Sequence, residues 1–375
     1  MGMSDNIAIY IHWPYCLKKC PYCDFNSHVT NSVDHVKWRD TYAREIHYYQ
    51  KLLGNKNITS VFFGGGTPSL MEPETVRYVL NVLGQSWTFT PNCEITLEAN
   101  PTSIEAHKFV DFKSAGINRV SVGVQSLRND QLAFLGREHN ADEALNALQV
   151  ANDIFDRVSF DLIYARPDQT MDEWRDELTE ALTYAKGHMS LYQLTIENGT
   201  QFKTLRDSGR LIELDYDIAG DMYLMTADMM ADAGMPPYEI SNYARVGQES
   251  RHNLTYWRYH DYVGIGPGAH GRLTLSNGDK VATRTHKAPD IWMGNVMDQG
   301  HGAKPFEILN AKTQTEEAIM MGLRLREGID CNLRHNDGID NLITNKFLKI
   351  EDGRLSVPQD KWPVLDSILA RMLMI

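Results

Sequence analysis

The sequence lacks the features that mark exported, membrane-spanning and nucleic-acid-binding proteins. No apolar run approaches the roughly 18–20 residues that cross a bilayer. Residues 1–5 lack the basic and then apolar pattern of a secretory signal. Lysine and arginine total 37 against 49 aspartate and glutamate, a net charge of −12, so the basic surface of a general nucleic-acid binder is missing. We therefore expect a soluble, cytoplasmic protein without a nucleic-acid partner.

Cysteine is also scarce. The chain has five, and an odd number without an export signal is a poor disulfide framework. They are Cys16, Cys20, Cys23, Cys93 and Cys331. Three of the five lie within eight residues of one another, which is the most informative feature of the composition.

The hydrophobic pattern predicts repeated strand–helix units. A length of 375 residues, at about 100–200 per domain, indicates two or three domains. The predicted strands are 7–13, 60–63, 94–98, 119–124, 158–163 and 190–195, and the predicted helices are 34–53, 72–83, 104–115, 141–155 and 171–186. This alternation predicts an α/β fold with a parallel sheet and outer helices. Six units suit a partial (β/α)6 barrel, and an open doubly wound sheet is the alternative.

The pattern changes after about residue 210. A helix (215–233), a strand (238–243), a glycine-rich stretch (261–271) and a hairpin turning at Asn277-Gly278 are predicted first. Next come three predicted helices (315–326, 340–348 and 364–373) and a hairpin at Asp352-Gly353, which together resemble a winged helix. The basic and acidic residues of this region are balanced, which favours a structural or lid role over DNA binding. We predict three domains: the partial barrel (1–235), an extension (236–304) and a mainly helical, winged-helix-like C-terminal domain (305–375).

The three clustered cysteines have the spacing C-x3-C-x2-C, just after the first predicted strand. Three thiolates this close can hold a compact iron–sulfur cluster. In a four-iron cluster they would leave one iron open to a small molecule. Structural zinc is the alternative, with His12 or His28 as the fourth ligand, although zinc sites favour two C-x2-C pairs and one is present. Cys93 and Cys331 are predicted to be ordinary buried cysteines.

This cysteine spacing, with an aromatic residue after Asp24, resembles the signature of the radical S-adenosylmethionine superfamily. The resemblance implies a partial (β/α)6 barrel and a [4Fe–4S] cluster on Cys16, Cys20 and Cys23. In that superfamily, S-adenosyl-L-methionine chelates the fourth iron through its amino and carboxylate groups. One-electron reduction then cleaves the sulfonium and yields a 5′-deoxyadenosyl radical.

The resemblance also assigns contacts to S-adenosylmethionine. The run 64–68, Gly-Gly-Gly-Thr-Pro, resembles the loop that holds the amino group, and Arg137 suits the carboxylate because its fork binds one bidentately. Tyr10 resembles the tyrosine beside the sulfonium, and a strand-packing aromatic is its alternative. The full set is Tyr10, Phe25, Gly65, Gly66, Thr67, Glu98, Gln125, Arg137 and Asp161. Side chains at the carboxyl ends of parallel barrel strands line one mouth, so we expect the set to converge there.

Further stretches resemble the branch that contains the oxygen-independent coproporphyrinogen oxidase and HemW. They are 10–16 (YIHWPYC), 123–126 (GVQS) and 161–164 (DLIY). The oxidase carries a further cysteine where Phe25 stands, and a substantial segment before its first strand, where this sequence has residues 1–6. Both differences favour the HemW family, as do 238–244, 252–257, 264–271 and 322–329.

Resemblance to HemW implies a haem chaperone that binds haem and delivers it to respiratory haem proteins at the membrane, with a homodimer left open. The alternative is an enzyme, the decarboxylase of coproporphyrinogen III. His252, in the motif H-N-x-x-Y-W, is the candidate haem ligand because imidazole commonly binds haem iron. A hydrogen-bonded structural histidine is the alternative, and His12 and His270 are weaker candidates.

One segment departs from the family pattern. Gly-Leu-Pro-Gly-Gln is expected after residues 161–164, and this chain has Ala165-Arg166-Pro167-Asp168-Gln169. Both glycines are lost, so any turn there that requires positive φ is expected to be strained, although aspartate tolerates that region better than most residues.

Overall fold

The computed structural model describes residues 5–30, 32–333 and 337–373, so residues 1–4, on which the secretory-signal prediction partly rests, lie outside the described residues. An eleven-stranded mixed sheet forms the centre of the fold. Its strands are β1 (Asn6–Trp13), β2 (Asn57–Gly65), β3 (Thr88–Ala99), β4 (Arg119–Gln125), β5 (Arg157–Tyr164), β6 (His188–Gln193), β7 (Asn242–Ala244), β8 (Tyr262–Ile265), β9 (His270–Thr274), β10 (Lys280–Arg284) and β11 (Glu307–Ile308).

Fourteen α-helices are formed by the described residues. They are α1 (His35–Leu53), α2 (Pro73–Ser86), α3 (Ser103–Ala106), α4 (Phe109–Ala115), α5 (Asn129–Phe134), α6 (Ala141–Ile154), α7 (Met171–Leu182), α8 (Gln201–Asp207), α9 (Tyr216–Asp232), α10 (Arg251–Trp257), α11 (Pro289–Gln299), α12 (Ala311–Gly322), α13 (Asp337–Thr344) and α14 (Leu365–Leu373). Within this set, no helix has both the length and the hydropathy needed to span a bilayer.

The parallel part of the sheet has the strand order β8-β1-β2-β3-β4-β5-β6. Antiparallel strands extend it at both sides, β7 beside β6, and β9, β10 and β11 beyond β8. Among the described residues β7 and β11 are the outermost strands of this sheet and do not pair with each other, so the barrel does not close. The partial α/β barrel expected from the sequence is therefore confirmed.

One core cluster joins the sheet to its helices. Buried side chains of the strands, such as Ile9 and Val61, pack with Tyr42 of α1, Val79 of α2 and Leu148 of α6. These helices are amphipathic, and their apolar faces cover the sheet because every strand of a parallel sheet needs burial on both faces.

The six predicted strands are all present, but the parallel sheet has a seventh member. Residues 262–265 lie in the stretch predicted only as glycine-rich, and they form β8, parallel to β1. The predicted strand 238–243 is wrong in its bounds, since only Asn242–Ala244 pairs with β6. The predicted helix 104–115 is two helices, α3 and α4.

A second buried cluster lies in the C-terminal region. It joins α12, α13 and α14 to a three-stranded sheet made of β12 (Ile329–Asp330), β13 (Lys349–Glu351) and β14 (Arg354–Ser356). The hairpin predicted at Asp352-Gly353 is confirmed, and both residues have positive φ, 50° and 73°, as a type I′ turn requires. The three predicted domain boundaries stay predictions, while strands β7 to β11 belong to the same sheet as the barrel strands.

The turn after β5 has the strain expected from the sequence. Ala165 and Asp168 stand where the family pattern has glycine, and both have positive φ, 54° and 58°. Between them, Arg166 is buried and its Nη2 donates to Glu177 Oε2 at 2.6 Å, while its Nη1 donates to Ser126 Oγ at 2.9 Å. This buried ion pair fastens the turn to α7 and opposes the cost of its left-handed residues.

We expect Asp168→Gly to raise the free energy of unfolding by about 0.5 kcal/mol. Asp168 is exposed and has a positive φ, which is sterically unfavourable for a residue with a Cβ atom. Glycine removes this cost, and the greater conformational freedom of glycine in the unfolded chain offsets part of the gain. Urea unfolding with an unchanged m-value would measure the difference.

The matched control is Asp221→Gly, at an exposed position inside α9. Glycine has no steric advantage in a right-handed helix, so this variant should lose about 0.3 kcal/mol. An equal loss in the two variants would contradict the strain account.

Candidate cofactor site

A cavity of about 720 Å³ lies at the carboxyl ends of the parallel strands. It brings together all three clustered cysteines and eight of the nine predicted cofactor contacts. These are Cys16, Cys20, Cys23, Phe25, Gly65, Gly66, Thr67, Glu98, Gln125, Arg137 and Asp161. The remaining predicted contact, Tyr10, does not line this cavity.

The cysteines lie on a loop that is tied at its base. Two short parallel strands, Tyr15–Cys16 and His28–Val29, pair with each other and close it. Cys16 is buried and Cys20 and Cys23 are partly buried. Thr67 Oγ1 donates to Cys16 Sγ at 3.5 Å, which ties the loop to the glycine run after β2.

One of the two histidines proposed as a fourth zinc ligand is not free to bind a metal ion. His12 was one proposed fourth zinc ligand, but both its ring nitrogens are engaged, Nε2 with the Asn26 carbonyl oxygen at 2.9 Å and Nδ1 with the Tyr10 hydroxyl at 3.0 Å. Burial lowers the pKa of His12 to about 4, so the ring is neutral; Nε2 donates to Asn26, and Nδ1 accepts from Tyr10. Within the described residues, no group of three or more His, Cys, Asp or Glu side chains is arranged to hold one metal ion.

The glycines after β2 are required by close backbone contacts. A Cβ atom at Gly66 would lie 2.6 Å from the Tyr15 carbonyl oxygen, and one at Gly65 would lie 2.6 Å from the His12 ring. The Gly65 amide donates to Glu98 Oε2 at 3.2 Å. The run therefore packs directly on the strand that leads into the cysteine loop, and a side chain at either glycine would separate the two.

Arg137 is held by residues that sequence reasoning only partly identified. Its Nη2 donates to Asn100 Oδ1 at 2.6 Å and to the Gly123 carbonyl oxygen at 2.9 Å, and its Nη1 donates to Cys20 Sγ at 3.5 Å. Asn100 also donates from Nδ2 to Thr67 Oγ1 at 3.2 Å. Asn100 was not predicted as a site residue, although its place two residues after the third predicted strand was a usable signal.

Two carboxyl groups form the inner wall of the cavity. Burial, followed by the nearby Asp161 charge, raises the pKa of Glu98 to about 8. Burial also raises the pKa of Asp161 to about 6. Gln125, at the end of β4, has a positive φ of 71°, a strained conformation of the kind that clusters at functional sites.

His252 and Tyr10 lie together in a second, smaller cavity of about 190 Å³. Glu98 and Asp161 line both cavities, so the two cavities share a wall. His252 Nδ1 is 2.9 Å from Ser60 Oγ and Nε2 is 2.6 Å from the Tyr256 hydroxyl, and the ring stacks on Phe62. These contacts favour the structural alternative for His252, and its assignment as a haem ligand stays a prediction.

The start of α10 is fixed by a buried carboxylate. Glu94 Oε1 accepts from the His252 amide at 3.2 Å, while its Oε2 pairs with Arg157 Nη1 at 2.6 Å. The H-N-x-x-Y-W motif thereby connects the extension to strands β2 and β3, through Ser60 and Glu94.

Comparison with known proteins agrees with this geometry. Residues 10–181 match the family model for the Radical SAM superfamily. The heme chaperone HemW of Haemophilus influenzae is 40% identical over 328 residues, which cover 84% of each chain. The mitochondrial radical S-adenosyl methionine domain-containing protein 1 of Danio rerio is 38% identical over 386 residues, covering 98% of this chain and 87% of the relative.

The chain belongs to the HemW family of the radical SAM superfamily. The family predicted from the cysteine spacing and the strand-end motifs is therefore confirmed. Among solved structures, coproporphyrinogen III oxidase (HemN) from Escherichia coli aligns with a TM-score of 0.81 at 18% identity, covering 98% of this chain and 90% of the oxidase. That likeness establishes the fold, including the C-terminal region.

In the cofactor-free protein, we expect Glu98→Gln to flatten the dependence of stability on pH. Because the pKa of Glu98 is about 8 in the folded chain and about 4.3 in the unfolded chain, the folded state holds an extra proton between these values. The free energy of unfolding of the wild type should therefore fall as the pH rises from about 5 to 8, and fall less in the variant.

Urea unfolding at several pH values would measure both slopes. Glu307→Gln, at an exposed position on β11, is the control and should keep the wild-type slope. Equal slopes in the wild type and Glu98→Gln would show that Glu98 does not hold the proton.

For His252→Ala, we expect a loss of about 2–4 kcal/mol in the free energy of unfolding, because Ser60 and Tyr256 lose their buried partner. The folded variant should bind haem with the wild-type affinity, measured from the haem absorption spectrum.

His260→Ala, at an exposed histidine, is the control and should change neither quantity. Normal stability combined with lost haem binding in His252→Ala would instead support the ligand assignment.

Proposed function

We propose that this protein is a haem chaperone that carries a [4Fe–4S] cluster and binds S-adenosylmethionine. The observation that carries the proposal is the single cavity that gathers three cysteines and eight predicted cofactor contacts. Relatives named heme chaperone HemW, matching over most of the chain, support the haem part of it.

In this proposal Cys16, Cys20 and Cys23 would hold the cluster, and S-adenosylmethionine would bind beside it in the same cavity. When bound, the cluster supplies one-electron reduction. The chain's own residues bind and orient S-adenosylmethionine. Nη2 of Arg137 is held by Asn100 and Gly123 and Nη1 lies beside Cys20, so Nη1 is the atom placed to donate to the carboxylate. Gly65 and Gly66 line the cavity, and because they have no side chains the glycine run packs directly against the strand that leads into the cysteine loop.

Glu98 and Asp161 give the inner wall an acidic character that suits a cationic sulfonium ligand. Burial raises both pKa values in the cofactor-free chain, and the nearby Asp161 charge adds to the rise at Glu98. A bound cation would favour their ionised forms and lower both pKa values. Binding of S-adenosylmethionine should thus release protons from this wall at neutral pH.

The proposal includes the partners of the family: haem as the cargo and respiratory haem proteins at the membrane as acceptors, with a homodimer still to be tested. It places the protein in the cytoplasm, while curated relatives include mitochondrial proteins. The competing function is decarboxylation of coproporphyrinogen III. Against it, Phe25 presents a largely exposed ring, 59% accessible, at the position where the oxidase has a further cysteine.

Anaerobic reconstitution with iron, sulfide and a reductant tests this function. We expect about four irons per wild-type chain. The Cys16→Ser, Cys20→Ser and Cys23→Ser variants should each lose most of them. The matched controls Cys93→Ser and Cys331→Ser should keep the full complement, because neither cysteine lines the cavity. Zinc in place of iron would contradict the cluster.

A haem titration of the reconstituted protein, followed by absorption, then tests the chaperone function. We expect saturable haem binding and no protoporphyrinogen from coproporphyrinogen III with S-adenosylmethionine. Catalytic turnover to protoporphyrinogen would support the oxidase, and the absence of stable haem binding would remove the chaperone function.

A further inference from the structure

The far end of the cysteine loop is held by one asparagine side chain. Asn26 lies three residues beyond Cys23, and its Nδ2 donates to the Pro267 carbonyl oxygen at 2.8 Å and to the Lys287 carbonyl oxygen at 2.9 Å. Its own carbonyl oxygen accepts from His12 Nε2 at 2.9 Å. Three bonds to distant segments therefore converge on this residue.

The segment that receives Asn26 fits tightly against it. Gly268 has a φ of +79°, and a Cβ atom there would lie 2.5 Å from Asn26 Nδ2. A Cβ atom at Gly266 would lie 2.5 Å from the His12 carbonyl oxygen. In the sequence, residues 264–271 indicate only the family. In the structure two of these glycines are required by close packing, because Gly268 lies against Asn26 and Gly266 lies against His12.

The receiving segment is itself rigidly held. Glu45, a buried carboxylate on α1, accepts from the Gly266 amide at 2.9 Å and from the Gly302 amide at 2.8 Å. It also accepts from Trp292 Nε1 at 3.0 Å. Burial raises the pKa of Glu45 to about 7, although these donors favour the ionised form. Gly266 is thereby fixed to α1, and α1 also contacts β1 through the bond from the Tyr42 hydroxyl to the His12 carbonyl oxygen at 2.7 Å.

His12 joins the three parts of the site. Its ring lies against Gly65 of the glycine run, its Nε2 holds the Asn26 carbonyl, and its main chain lies against Gly266. The cysteine loop, the glycine run after β2 and the segment after β8 thus share one neutral imidazole. Neither nitrogen is left for a metal ion, so the contacts of His12 are all structural.

We propose that Asn26 is a positioning residue for the iron–sulfur site, clamped by His12 and by the Gly266–Gly268 segment so that the three thiols keep a fixed arrangement. The inference rests on the proposed function, because it assigns Asn26 a role toward the cluster. Residues that orient metal ligands typically change metal affinity by about 10–100-fold when they are removed.

Two variants test the clamp, each with a matched control. Asn26→Ala removes both side-chain donations, and Asn152→Ala removes a comparable bond to the Tyr184 carbonyl oxygen far from the site. Gly268→Ala drives a methyl group into Asn26. Gly278→Ala has a similar φ of +90° but no atom within 4 Å of the added methyl group, so it carries the same backbone strain without the clash.

The first measurement is the rate at which the reconstituted protein loses iron to an excess of a ferrous chelator. We expect Asn26→Ala and Gly268→Ala to release iron about tenfold faster than the wild type, and both controls to match the wild type. Release at the wild-type rate in both clamp variants, with only a lower unfolding midpoint, would show that Asn26 stabilises the fold and does not position the site. If Asn26→Ala fails to fold, Gly268→Ala against Gly278→Ala decides.

The second measurement uses the metal-free protein, so that a failure of the clamp can be told apart from a failure of the proposed function. Wild-type protein that takes up no iron would remove the proposed function. Alkylation of Cys23 by iodoacetamide would still report on the loop, and we expect it to be several-fold faster in both clamp variants. Equal alkylation rates in all five proteins would overturn the inference.

Discussion

The parallel pairing of β1 with β2 on one side and β8 on the other is the constraint on which the rest of the site depends. Because parallel strands end at the same edge of a sheet, this pairing places three loops side by side. They are the cysteine loop after β1, the glycine run after β2 and the glycine segment after β8. The absence of Cβ atoms at Gly65, Gly66 and Gly266 lets the three loops touch. His12, near the end of β1, then joins them through its ring and its backbone.

Much of this arrangement could be predicted from the sequence because its signals are local. The six strand–helix units follow from hydrophobic periodicity, and the polar residues at the strand ends follow from the rule that one edge of a parallel barrel forms the mouth. Thus Glu98, Gln125, Arg137 and Asp161 were expected to converge, and they line one cavity. The hairpin at Asn277-Gly278 was also expected, because turn chemistry is readable from two residues.

The features that could not be predicted depend on contacts between residues distant in sequence. Strand β8 has four residues, and only its pairing with β1, about 250 positions earlier, identifies it. The buried setting of His252 follows from Ser60, which lies 192 positions away. A motif alone therefore indicated a candidate ligand, whereas the fold shows an imidazole with both nitrogens already bonded. The bonds from Asn26 to Pro267 and Lys287 are of the same long-range kind.

Electron paramagnetic resonance of the reduced, reconstituted protein would show whether this cavity holds a cluster with one iron open to S-adenosylmethionine. We expect the signal of a reduced [4Fe–4S] cluster whose g-values shift when S-adenosylmethionine is added. An iron–sulfur signal that does not change on addition of saturating S-adenosylmethionine, or a protein that binds zinc and no iron, would contradict it.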